Sequence, residues 1–284
     1  MNIDYVGNGE VHLISGGGKV FTDIAARFCR STRDLNDIIA SPYDAKIVKN
    51  ILSSNHLAAT EFDYFIFGIQ GYSRVTEVQL VRKRIASYLI SSGRVEHNRR
   101  RSFDVIVPSS ITNPLITGWV DGIECDNIWV YTDPDIPDLN KRRLSDVLPN
   151  ADQYLCKIEL TATDILTLIE NWYDEALINN VPEEEARYLK PQATEFKAII
   201  GMNAHSLIDW FKIRCCMNAQ TEIRDLANKM LKLCKEVAPD LFANAGASCV
   251  SLGYCPENGR QNKKCNKLTH EAVKRLILEV GCKK

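Results

Sequence analysis

Residues 61–73, EFDYFIFGIQGYS, constrain the fold more than any other stretch of the chain. Phe65, Phe67 and Ile69 alternate with their neighbours, so they fall on one face of a strand that Gly71 ends. A strand with one apolar face needs a second layer to cover it. EVHLISG, residues 10–16, predicts a short opening strand, and FDVIVP, residues 103–108, predicts another. Helical spacing supplies the rest. Val20, Ile24 and Phe28 follow a glycine loop that lacks the spacing of a dinucleotide or P-loop fingerprint. Ile47, Ile51 and Leu52 follow a serine-proline start. Val78, Val81, Ile85 and Leu89 predict a helix from Ser73 to about Leu89, broken by Gly93.

The later half reads as helical. Leu155, Ile158, Ala162, Ile165, Leu166, Ile169 and Trp172 predict one long amphipathic helix over 152–179. Pro182 before Glu183, Glu184 and Glu185 starts another. Residues 203–239 give one or two more, closed by Pro239. Strands early and helices late predict an α+β fold. Residues 109–150, rich in Pro, Asp, Asn and Gly, predict an irregular connection. The expected organisation is a main domain over 1–245 and a Cys-rich appendage over 246–284.

Composition narrows the function classes. Hydrophobic residues are 45% and charged residues 25%, enough for a core that needs no disulfides. The net charge of −1 argues against a coat for a nucleic acid polymer, so anion binding must be local. No apolar run approaches a membrane span, and the first twenty residues lack a signal peptide's apolar stretch, which predicts a cytoplasmic protein without a membrane partner. The ten cysteines are then expected to be thiols or metal ligands.

The densest chemistry lies in QLVRKRIASYLISSGR, residues 79–94. Arg82, Lys83, Arg84 and Arg94 surround a run of small residues with Ser87, Ser91 and Ser92. The cluster is either a solvated helix face or a site for phosphates, which guanidinium forks match. Gln79 lies three residues before Arg82, on the same helical face, and its amide can read a base or a sugar. Gly93 lets the backbone of Ser92-Gly93-Arg94 approach a ligand. Arg214 stands in the apolar setting DWFKIRCCMNAQ, where a buried guanidinium needs an anionic or hydrogen-bonding partner. Cys215 and Cys216 point apart on a helix and read as core fillers, and no nucleophile is evident. Cys249, Cys255, Cys265 and His270 have the donor types for zinc, but not its tight Cys-x2-Cys spacing, so free thiols are the competing reading.

Five segments in order resemble the flavin-dependent thymidylate synthases. Arg82-Lys83-Arg84, seven residues, Ser92 and Arg94 follow that family's Arg-His-Arg-x7-Ser signature. SRVTEVQLVRKRIAS leads into it; NHLAATEFDYFIFGI is similar to the upstream His-x4-Glu and strand; EEEARYLKP and MNAHSLIDWFKIRCCMNAQTEIRDLA are similar to two later elements. The resemblance covers most of residues 10–245. It implies an antiparallel-rich mixed sheet flanked by helices, and a homotetramer with active sites built from several subunits. It implies methylation of dUMP to dTMP, with methylenetetrahydrofolate giving the carbon, FAD the hydride, and NADPH reducing the flavin. By position, it implies nucleotide binding for Gln79, Arg82, Ser92, Gly93, Arg94, Arg187 and Arg214. Arg214 is also expected to act electrostatically at the uracil ring. The flavin region is implied for His56, Glu61, Arg82, Lys83, Arg84, Asn203, His205 and Asp209.

Several positions depart from that pattern. Lys83 replaces the signature's His, Leu89 and Ile90 replace polar residues, Val95 replaces an aromatic, His205 replaces an Arg and Asp209 an Asn. A site built around a polar group discriminates strongly when it is lost. The rival expectations are therefore one-carbon transfer, such as hydroxymethylation, to another pyrimidine nucleotide, and a homologue that binds nucleotide or flavin without turnover.

Overall fold

A computed structural model describes residues 2–17, 20–91, 103–110, 116–120, 129–131, 141–143, 156–257, 265, 268–269 and 271–275. The chain divides into two compact units, one of residues 1–107 and 173–284, the other of 108–172. The first part of the chain contains β1 (Ile3–Tyr5), β2 (Glu10–Ser15), α1 (Phe21–Arg30), α2 (Leu35–Ala40), α3 (Ala45–Ser53), β3 (Tyr64–Ser73), α4 (Arg74–Leu80), β4 (Ser87–Ile90) and β5 (Val105–Val107). Then come β6 (Ile116–Val120), β7 (Trp129–Tyr131), β8 (Lys141–Arg143), β9 (Cys156–Leu160), α5 (Ala162–Ile178) and α6 (Glu183–Ala186). The order closes with β10 (Glu195–Asn203), α7 (Ala204–Arg214), α8 (Thr221–Val237), α9 (Pro239–Phe242) and α10 (Ser248–Leu252).

The fold is α+β around an antiparallel sheet, ordered β2-β3-β10-β4 among the described residues. Phe65, Phe67 and Ile69 of β3 point inward, as their alternation requires. Phe196, Ala198, Ile200 and Met202 of β10 do the same. Against that face pack Leu207 and Phe211 of α7, with Ile223, Leu226, Ala227 and Met230 of α8. The α8 residues recur at i, i+3, i+4 and i+7, one stripe of a helix. Among the described residues no helix is long and apolar enough to cross a membrane.

Several elements differ from the sequence expectations. The helix predicted from Ser73 to Leu89 stops at Leu80, and Ser87–Ile90 form β4 on the edge of β10. Its apolar stripe faces outward: Val78, Val81, Ile85 and Leu89 are all exposed, while Thr76 and Leu80 are buried. The free edge of β10 decides this, since pairing there satisfies backbone groups that a longer helix would leave unused. The helix predicted over 152–179 begins only at Ala162, and Cys156–Leu160 instead pair with β6 as β9. Thr161 starts it: its amide and hydroxyl donate to the Asp164 carboxylate at 2.8 and 2.6 Å, and Asp164 N–H donates back to the Thr161 hydroxyl at 3.2 Å. This is a reciprocal N-terminal cap with Asp in the place of Glu. β3 runs past Gly71, which takes a φ of +73° where a Cβ would press on Gly9. Pro239 opens α9 as well as ending α8. Most of 109–150, expected as an irregular connection, lies outside the described residues; those described include the short strands β6, β7 and β8.

Candidate functional site

The site is organised around α4, whose two ends are held by different parts of the chain. At the N-terminus the buried Glu222, from the first turn of α8, accepts from Ser73 N–H at 2.7 Å, Ser73 Oγ at 2.5 Å and Thr76 Oγ1 at 2.8 Å. Ser73 makes no cap with its own side chain. The carboxylate does that work from another element, and its charge suits a helix N-terminus. At the C-terminus Arg214, from the last turn of α7, donates to the Gln79 side-chain oxygen at 3.2 Å and to the Gln79 carbonyl at 3.1 Å. Carbonyls in a helix's last turn lack intrahelical donors, so the guanidinium satisfies one. Burial first, and the positive charge of Arg82 second, hold the Arg214 pKa below the usual arginine value. Arg214 thus has neutral hydrogen-bond partners and a cationic neighbour, an arrangement that an added anion would stabilise.

The basic run lies in the turn between α4 and β4 and not on a helix. Arg82 and Arg84 are exposed, and Lys83 is half-buried. The Tyr88 hydroxyl reaches the carbonyls of Leu80 and Lys83, both at 2.9 Å, and clasps the turn from β4. Lys83 Nζ lies 3.8 Å from Asp209 Oδ2. His205 Nε2 lies 3.7 Å from the same oxygen, and His205 Nδ1 lies 3.2 Å from Glu61 Oε1. Asn203 caps α7 by accepting from Ser206 N–H at 2.8 Å, which leaves its amide NH2 to donate. The structure therefore gathers Glu61, Lys83, His205 and Asp209 into one charged group beside the Asn203 cap. His56 is exposed at the start of the short 3-10 turn Leu57–Phe62 and does not cap it.

Arg187 stands on a cleft of about 470 Å³ whose lining includes Arg74, Glu77, Ser91, Lys190 and Thr194. Arg74 donates to Glu77 Oε2 at 2.5 Å and to the Ser91 carbonyl at 3.1 Å. Lys190 Nζ sits 4.8 Å from the centre of the Tyr173 ring. Arg74 and Lys190 add cationic character that the sequence reading did not single out. Ser92, Gly93 and Arg94 lie outside the described residues; Ser91, just before them, lines this cleft. Leu89 and Ile90 line a second cleft, of about 460 Å³, with Lys197 and Ile199.

Burial pushes the Cys215 thiol up to about 12, so it carries no thiolate at neutral pH. In the tail, Cys249 lies on α10, Cys255 is buried, and His270 lies outside the described residues. Among the described residues no group of three or more His, Cys, Asp or Glu, Cys265 included, is placed to hold a metal ion.

Comparison with known proteins identifies the family and the fold. The family model described as thymidylate synthase complementing protein matches residues 17–240. A flavin-dependent thymidylate synthase of Geobacter sulfurreducens is 34% identical over 261 residues, 91% of this chain and 92% of that one. A protein of the same name from Nitratidesulfovibrio vulgaris is 35% identical over 213 residues, 75% and 73% of the two chains. Among solved structures, the UMP/dUMP methylase PolB from Streptomyces cacaoi, bound with 5-Br dUMP, has a TM-score of 0.59 at 16% identity, covering 86% of this chain and 96% of that one. That likeness is one of fold.

Proposed function

The chain belongs to the flavin-dependent thymidylate synthase family, and on that premise we propose that it methylates dUMP to dTMP. The observation that carries the reading is Arg214, fixed by neutral partners at the end of α4 and held beside Arg82. A ring that gains negative charge in the reaction meets a guanidinium already oriented, so little reorganisation is required. Set against the uracil, Arg214 stabilises charge drawn toward the ring oxygen and nitrogen and leaves carbon 5 more nucleophilic. Gln79 positions the same ring through its free amide hydrogens. Arg187, with Arg74 and Lys190 on its cleft, suits the phosphate.

The donor set of the turn fits a flavin dinucleotide: Arg82 and Arg84 are exposed cations for a diphosphate, and Lys83, His205 and the Asn203 amide lie close by. FAD, when bound, supplies the hydride. In this reading methylenetetrahydrofolate supplies the carbon, NADPH returns the flavin to its reduced form, and the chain works in the cytoplasm. We take the enzyme as a homotetramer whose sites draw Arg214 from one subunit and Arg187 from another. The support is the family resemblance, which implies sites built from several subunits.

The test is incubation with dUMP, methylenetetrahydrofolate, NADPH and FAD, followed by mass analysis of the nucleotide. Gain of one CH2 unit on dUMP is expected. No change on dUMP, with a gain on UMP or dCMP, overturns the substrate. Flavin binding with no change on any nucleotide overturns turnover itself. Mixing Arg214→Ala with Arg187→Ala subunits tests the shared site: activity returns if two subunits build it, and stays absent if one does.

A further inference from the structure

We propose that Asp209 is a positioning residue that acts on the bound flavin through Lys83. The inference rests on the functional reading above and adds a role that the basic turn alone does not explain. Arg82, Lys83 and Arg84 are consecutive in one turn, yet the outer two are exposed while the Lys83 side chain is only 22% exposed. Lys83 is folded back toward α7. Its ammonium lies 3.8 Å from Asp209 Oδ2.

The two oxygens of Asp209 are divided between neighbours. Oδ1 accepts from Lys212 Nζ at 3.0 Å, one turn further along the same helix. Oδ2 faces both Lys83 and His205 Nε2. His205 is itself held from its other nitrogen by Glu61, on the Leu57–Phe62 turn. The carboxylate is thus oriented by two side chains of its own helix before it meets Lys83. That helix is a rigid platform, because Leu207, Ile208, Trp210 and Phe211 are buried in the core.

The turn is consequently held at two points: the Lys83 carbonyl by Tyr88, and the Lys83 ammonium by Asp209. With the middle residue drawn back, Arg82 and Arg84 are left facing outward. A lysine released from Asp209 regains rotamers that it must lose again to meet an anion. Lys83 and His205 come from different elements, and the structure brings both to one oxygen of the Asp209 carboxylate.

A double-mutant cycle of Asp209→Asn and Lys83→Gln, read by FAD titration of the full-length protein, tests the role. Asp209→Asn is expected to raise the FAD dissociation constant about fivefold in the parent, the scale of a partly exposed ion pair. In the Lys83→Gln background it should change the constant less than about twofold, because the group it acts through is gone. Asp209→Glu should recover most of the affinity. All variants should unfold at the parent's temperature, which separates positioning from a loss of structure. Equal factors in both backgrounds overturn the positioning role while leaving the flavin reading intact. A parent that takes up no FAD overturns the functional reading, and this role with it.

Discussion

The two ends of α4 are held by opposite charges in opposite surroundings. Glu222, 1% exposed, closes the N-terminal end with three donors between 2.5 and 2.8 Å. Arg214 closes the C-terminal end with two longer bonds, to neutral acceptors, in a half-buried position next to Arg82. The first end is saturated: every contact serves the fold. The second has charge to spare, and that surplus is what a site for an anionic ligand needs. One short helix therefore separates an electrostatic device that stabilises the chain from one that is poised for chemistry.

The largest expected effect falls on the second end. Arg214→Ala should lower kcat by about a thousandfold, the scale on which a preorganised charge donor acts, with a loss of only about 1 kcal/mol in stability from the uncapped carbonyl. Product formation and an unfolding curve on the same protein check both halves. A variant that unfolds readily would break the contrast, making Arg214 a structural group. Glu222→Ala should do the reverse. It orphans three buried donors and should cost about 3 kcal/mol in denaturant unfolding, and wild-type-like stability would show that water replaces the carboxylate.

Smaller effects sharpen the comparison at the turn. Tyr88→Phe removes a hydroxyl clasp and should cost about 1 kcal/mol, with a rise in the KM for nucleotide larger than any fall in kcat. The smallest effect is on pH dependence. Burial pushes the Tyr88 hydroxyl up to about 12, whereas an unfolded tyrosine ionises near 10. The unfolded chain loses this proton first as pH rises. The contribution is therefore fully present below about pH 10 and is lost between about pH 10 and 12. Tyr88→Phe should flatten the alkaline fall of stability; an unchanged slope would mean the hydroxyl is not enclosed.

Alternation made β3 legible, since Phe65, Phe67 and Ile69 can share a face only in a strand. The same signal is present in β10, where Phe196, Ala198, Ile200 and Met202 alternate, but it stands between strong helical stripes. β10 also decides the fate of residues 81–90. Its free edge turns an apparent helical stripe into a turn and a strand, and puts Val78, Val81, Ile85 and Leu89 outside. The candidate site was legible as residue types and order. Arg214 was readable as a guanidinium in need of a partner, but not that Gln79 would be it. Arg74 and Lys190 carried no local signal, because only the cleft brings them beside Arg187.

The sequence by itself determined the class of fold, the family motifs and the supply of cations, because periodicity and residue chemistry are local properties. The tertiary structure alone decided which charges meet. Asp209 holds Lys83 across 126 positions of chain, and Arg214 holds Gln79 across 135. Such pairs arise only when the sheet and α7 fix their backbones, since a contact at that separation is set by packing and not by the order of residues.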